Sequence, residues 1–207
     1  MSGHVGRDRS VGGRGSGQVA RWLTEGLSPA VLSAATILIV GATSGATAVA
    51  GVGWALVVLL FVCVIPYLVI VAGVRGGRYT DHHLRELRQR PVPLALGLGS
   101  AVIGLVLVGL GGGPRPLLAL VAASVVGFAI LVVVSLRWKM SVHAGVAAGG
   151  AAIVGQVLGS AAWVIGACVV VAVSWSRVRL GDHTAWQVAV GAVVGAAVGG
   201  LVFAGLA

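Results

Sequence analysis

Three stretches of this 207-residue chain combine histidine with cationic side chains. Residues 75–91 carry Arg75, Arg78, His82, His83, Arg85, Arg88 and Arg90; residues 137–143 carry Arg137, Lys139, Ser141 and His143; residues 176–183 carry Ser176, Arg177, Arg179, Asp182 and His183. Converging guanidiniums grip phosphate oxygens through planar forks of N–H donors, and a serine at the start of a helix stands beside free backbone N–H groups. Together such groups form a receptor for a phosphate or another polyanion, and Ser141 suits it if a helix begins just after it. Two histidines in one pocket can then divide the chemistry, one attacking phosphorus and the other protonating the leaving oxygen.

The elements that must hold these residues are set by composition. The chain is 58% hydrophobic and 9% charged with a mean hydropathy of +1.05, against about 25% charge in a soluble domain, so it belongs in a bilayer. Its charges are unbalanced: fourteen Lys and Arg face five Asp and Glu, for a formal +9. Residues 1–26, rich in Gly, Ser and Arg, read as a disordered tail, and residues 27–207 as a transmembrane domain of the all-α, polytopic class. Ala46-Thr47-Ala48 resembles a signal-peptidase site, but the preceding polar stretch is long and a second apolar run follows at once, so the first run is kept as a helix. Apolar runs occupy about 28–49, 52–74, 93–112, 117–135, 143–175 and 186–206. If Gly159-Ser160 turns a hairpin within 143–175 the count is seven helices, otherwise six. Glycine pairs at 145/149 and 191/195 suit closely packed helices.

Seven spans are favoured because they sort the charges by side. The tail and the three histidine-bearing stretches then share one face, which holds every Lys and Arg except Arg115 and all five acids. Trp22, Trp138, Trp175 and Trp186 fall at that interface, and Trp54 and Trp163 at the other. The positive-inside rule places the charged face in the cytoplasm, on a multi-pass protein of the cell membrane. Membrane lipids and a lipid phosphate are the expected partners; nucleic acid is not.

The three stretches resemble, in order and spacing, the signatures of the type 2 phosphatidic acid phosphatase superfamily, which is related to vanadium haloperoxidases: KxxxxxxRP, PSGH and SRxxxxxHxxxD. Ser176 and Arg177 are followed by five residues and His183; Met140-Ser141-Val142-His143 keeps the Ser and His of the second; His83, six residues and Arg90-Pro91 align with the first. The resemblance covers about half the chain and implies a helix bundle with a haloperoxidase-like core that hydrolyses a lipid phosphate or diphosphate without metal or other cofactor. It implies that His183 attacks phosphorus to form a phosphohistidine, that His143 protonates the leaving alkoxide, and that Arg90, Arg177, Ser141 and His83 bind the phosphoryl group. The chain departs from the signatures at His83 (Lys in the family), at Met140 and Val142 (Pro and Gly), and at Gln187, where an Asp normally orients the nucleophile. A Gln carbonyl can accept from an imidazole N–H but carries no charge. Asp81 or Asp182 could substitute, and Lys139 and Arg179 could grip a second anionic group.

Two other readings are weaker, the second of them kept as an alternative. A metal site built from His82, His83, His143 and His183 lacks a ligand spacing such as HExxH and would sit among repelling cations. An anion transporter or channel would place charge within the spans, which hold essentially none. A non-catalytic lipid-phosphate binder is the alternative that the Gln187 departure keeps open.

Overall fold

The computed structural model describes residues 10–207 apart from 82, 83 and 85. Its helices, in order, are α1 (Ser10–Gly26), α2 (Pro29–Ser44), α3 (Ala48–Leu59), α4 (Ile65–Arg75), α5 (Pro91–Leu110), α6 (Arg115–Ser135), α7 (Val142–Leu158), α8 (Ser160–Arg179), α9 (Ala185–Ala197) and α10 (Phe203–Leu206). No strand occurs among the described residues. π-Helical segments at Leu60–Val64 and Val198–Val202 join α3 to α4 and α9 to α10 without interrupting the rods. Among the described residues, five helical rods are long and apolar enough to cross a bilayer: Ala48–Arg75, Leu87–Leu110, Arg115–Ser135, Ser160–Arg179 and Ala185–Leu206. A sixth results if α1 and α2 are taken together, and α7 is a shorter apolar helix of 17 residues.

The bend of 44° between α1 and α2 has a local cause. Ser28 is extended, and Pro29 starts a new helix at a position where its missing N–H removes no bond. Helix α1 also corrects the sequence reading, which assigns residues 1–26 to a disordered tail. Residues 1–9 lie outside the described residues, but 10–26 are helical. The reason is tertiary: Ala20 and Thr24, one turn apart, are buried as α1 packs on α8, and the Thr24 hydroxyl donates to Ser176 Oγ at 3.1 Å.

The expected break inside 143–175 is present. Gly159 ends α7 with φ 86 and ψ −159, a conformation open essentially to glycine, and α8 starts at once and packs back on α7. On its other side α7 meets α9 through backbone contact: a Cβ on Gly195 would collide with the Gly145 carbonyl, and one on Gly199 with the Gly149 backbone. That close approach brings the start of α7 to the start of α9. Toward the opposite end, buried Ile37, Val58, Val108, Leu117 and Phe203 form the apolar core. The α5–α6 turn lies at that end, where Trp54 covers Gly111 and Gly113 and Arg115 opens α6.

Candidate functional site

Each side chain of the cluster is held by a helix end. Arg90 precedes Pro91 at the start of α5 and is buried; its Nε donates to the Leu84 carbonyl at 2.8 Å and its Nη1 to the Met140 carbonyl at 3.0 Å. Because Met140 serves through its backbone, the departure from proline there leaves this contact intact. Ser141 caps α7: its Oγ accepts from Ala144 N at 3.4 Å, and its own N–H donates to the Gln187 carbonyl at 3.2 Å. His143 follows in the first turn of α7 and is buried. The positive end of the α7 dipole therefore faces the cluster.

Arg177 lies in the last turn of α8 and is 2% exposed. Gly181, at φ 71, reverses the chain so that the Asp182 and His183 N–H groups both donate back to the Arg177 carbonyl, at 3.2 and 3.3 Å. The same turn brings Asp182 Oδ2 to 3.1 Å from Arg177 Nη2, a buried ion pair that fixes the guanidinium, and Lys139 Nζ donates to the Asp182 carbonyl at 2.9 Å. The five residues between Arg177 and His183 are thus the length of one helix-terminating turn, which puts both side chains in one pocket.

Thr184 and Gln187 form a capping box at the start of α9. Gln187 Oε1 accepts from Thr184 N at 3.2 Å and stands 3.2 Å from His183 Nδ1. An atom that accepts a backbone N–H is the amide oxygen, so Nδ1 must be the proton-bearing nitrogen of His183, and Nε2 keeps its lone pair. Gln187 therefore performs the orienting half of a carboxylate's work. The charge-compensating half is missing, and the His183 pKa is lowered from 6.5 to about 4. Burial is the main cause, the charges of Arg90, Lys139 and Arg177 add to it, and the Gln187 hydrogen bond opposes it. His183 is neutral at every pH well above 4. In histidine-labelled protein, NMR titration should show His183 protonating near pH 4, and Gln187→Glu should raise that value toward the ordinary one. A wild-type midpoint near 6.5 would contradict this electrostatic picture.

Arg90, His143, Arg177 and His183 line one cavity of about 360 Å³. Ser141 is fully buried beside them and is engaged as the α7 cap. Asp81 is half-buried, within electrostatic reach of Arg90. Lys139 and Arg179 do not line the cavity: Lys139 braces the Asp182 turn, and Arg179 is exposed, its Nη2 donating to Ser16 Oγ on α1 at 2.8 Å. His83 lies outside the described residues. Among those residues no group of three or more His, Cys, Asp or Glu side chains is placed to hold a metal ion.

Sequence reasoning missed two contributors. Glu25, in the segment read as a tail, lines the cavity from α1, and the buried Thr24–Ser176 bond seats α1 beside Arg177. The one available signal was the spacing of Ala20, Thr24 and Leu27 on one helical face. Comparison with protein-family models, with curated proteins and with solved structures finds no match.

Proposed function

We propose that this chain is an integral-membrane phosphohydrolase that removes phosphate from a lipid phosphate or diphosphate, with the seven-helix, type 2 phosphatidic acid phosphatase-like architecture that its motifs resemble and the site on the cytoplasmic face. The observation that carries the reading is the buried His183 imidazole, its Nδ1 3.2 Å from Gln187 Oε1, in one cavity with Arg90, Arg177 and a second histidine. Arg90 and Arg177 neutralise the non-bridging oxygens and His183 Nε2 attacks phosphorus. An N–P bond forms while the P–O bond to the lipid breaks, and His143 gives its proton to the leaving oxygen. Water then attacks the phosphohistidine, His143 takes the water proton, the N–P bond breaks and inorganic phosphate leaves. The low proton affinity of His183 keeps the nucleophile unprotonated at neutral pH. The cationic pocket restores the balance when the phosphate dianion enters.

Purified protein is expected to release inorganic phosphate from a panel of polyprenyl, diacyl and glycosylated lipid phosphates, with inhibition by vanadate. Release from none of them would reject the reading. His143→Ala gives a sharper test of roles. Read as the first burst of alcohol or phenol release, before the shared phosphohistidine must hydrolyse, it should lose about 10²–10⁴-fold on an alkyl phosphate and far less on p-nitrophenyl phosphate, whose leaving group needs no proton. Equal losses on both would remove His143 from the role of general acid.

A further inference from the structure

The cavity does not end at the phosphate site. From Arg90, His143, Arg177 and His183 it runs into the bundle between α2, α4, α6, α7 and α9, and reaches Ile37, Leu120 and Ile153 of the apolar core. His143 and Ile153 are ten residues apart on α7, so the depth is about 15 Å, half of a ~30 Å hydrocarbon layer. The lining away from the charged end is apolar apart from a few hydroxyls. Two of these hydroxyls are spent on their own helices: Thr36 donates to the Leu32 carbonyl and Ser124 to the Leu120 carbonyl.

Two features mark this space as built. Both π-helical segments contribute to its wall, Val62 and Cys63 from one and Val198 and Gly199 from the other, and such segments widen a helix locally and concentrate at functional sites. The second is Gly127, in the middle of α6. Unlike Gly145, Gly149, Gly191 and Gly195, which are packed against backbone, a Cβ at Gly127 would meet nothing within 4 Å, although the residue lines the cavity. Its missing side chain serves the open space and not a helix contact. The cavity also has a side approach near the charged end, where α2 and α4 both line it: α2 meets the Ala48–Arg75 rod through α3 and Leu60–Val64, while α4 packs on α5 and Leu60–Val64.

We infer that this cavity seats one hydrocarbon chain of the substrate, so that the protein selects lipids carrying their phosphate on a single chain, and that Gly127 sets the bore of the slot. A cationic mouth on an apolar, blind interior is complementary to a phosphate head joined to an alkyl or isoprenoid tail. About 360 Å³ of space behind one charged mouth, about 15 Å deep, suits a single extended chain segment. The remainder of a longer chain leaves between α2 and α4 into the bilayer. The inference rests on the phosphohydrolase reading for its choice of substrate.

The test compares hexadecyl phosphate, butyl phosphate and dipalmitoyl phosphatidate on the full-length protein in detergent. Hexadecyl phosphate is expected to exceed each of the others by tenfold or more in kcat/KM. Gly127→Leu, whose Cβ would meet nothing within 4 Å and whose longer side chain enters the slot, should lower the hexadecyl-to-butyl ratio about tenfold, chiefly through KM, and Gly127→Ala should lower it less. Val126→Leu, on the exposed face of the same helix, should leave the wild-type ratio. An unchanged ratio in both Gly127 variants, or a wild type that prefers the diacyl lipid, overturns the slot while the phosphohydrolase reading stands. Absence of phosphate release from every substrate overturns that reading instead. The slot is then decided by hexadecyl phosphate bearing a terminal diazirine. Photolabel within 120–131 and 145–153 that Gly127→Leu suppresses supports it, and label spread over the outward faces of the helices overturns it.

Discussion

His183→Ala is expected to reduce phosphate release by about 10⁴-fold or more, with little change in the amount of folded protein. The size of the effect follows from the proposed role: deleting the group that would make the bond to phosphorus leaves only binding and charge stabilisation, and nucleophile deletions in enzymes that work through covalent intermediates reach that range. The tolerance of the fold follows from position. The chain reversal after α8 is held by the backbone N–H of residue 183 and by Gly181, not by the imidazole, and the capping box of α9 is completed by Thr184 and Gln187. Loss of the ring removes one hydrogen bond to Gln187, which still accepts from Thr184. Phosphate release assayed beside size-exclusion profiles in detergent checks both halves. A His183→Ala protein with more than a tenth of wild-type activity would remove His183 from the reaction.

Arg177 carries the second large effect, and here activity and stability fall together. Its guanidinium is 2% exposed and paired with Asp182, whose side chain is 9% exposed. Arg177→Ala leaves that carboxylate buried without its guanidinium, a change that costs about 3–5 kcal/mol when a buried pair is broken from one side. It also removes one of the two forks proposed to hold the phosphoryl oxygens, worth about 10²–10³ in kcat. Arg177→Lys separates the two terms. The charge and most of the fold are retained, but a single ammonium cannot face Asp182 and phosphate with the geometry of a planar fork, so kcat should still fall about 10²-fold. Arg179→Ala, two residues on, replaces an exposed side chain bound to α1 and should cost less than threefold. Near-wild-type kcat in Arg177→Lys would show that the fork geometry is not used.

These contrasts show how far residue types alone reach. Ser141, His143, Arg177 and His183 could be grouped from spacing because each lies within a turn of a helix end, and the bundle returns those ends to one level. The α7–α8 break was legible because Gly159 and Ser160 interrupt an apolar run too long for one helix. Three things were not legible. Helix α1 looks like a tail because its sequence is polar, and it is held by tertiary contacts of Ala20 and Thr24 that no local propensity encodes. Lys139 and Arg179 stand beside the motifs in sequence, but the helix end turns Lys139 toward the Asp182 backbone and Arg179 toward Ser16, outside the cavity. The cavity depends on where α6 and α9 separate. Gly127 differs from Gly195 only in what lies opposite, which cannot be read from a run of glycines.

The central claim is a covalent bond between phosphorus and His183, and rapid alkaline quench during turnover of a lipid phosphate radiolabelled at phosphorus tests it most directly. The expected result is an acid-labile, base-stable label on the peptide that contains His183, lost in His183→Ala. Steady phosphate release with no label on the protein, or with label confined to another residue, would contradict the assignment of His183 as the nucleophile.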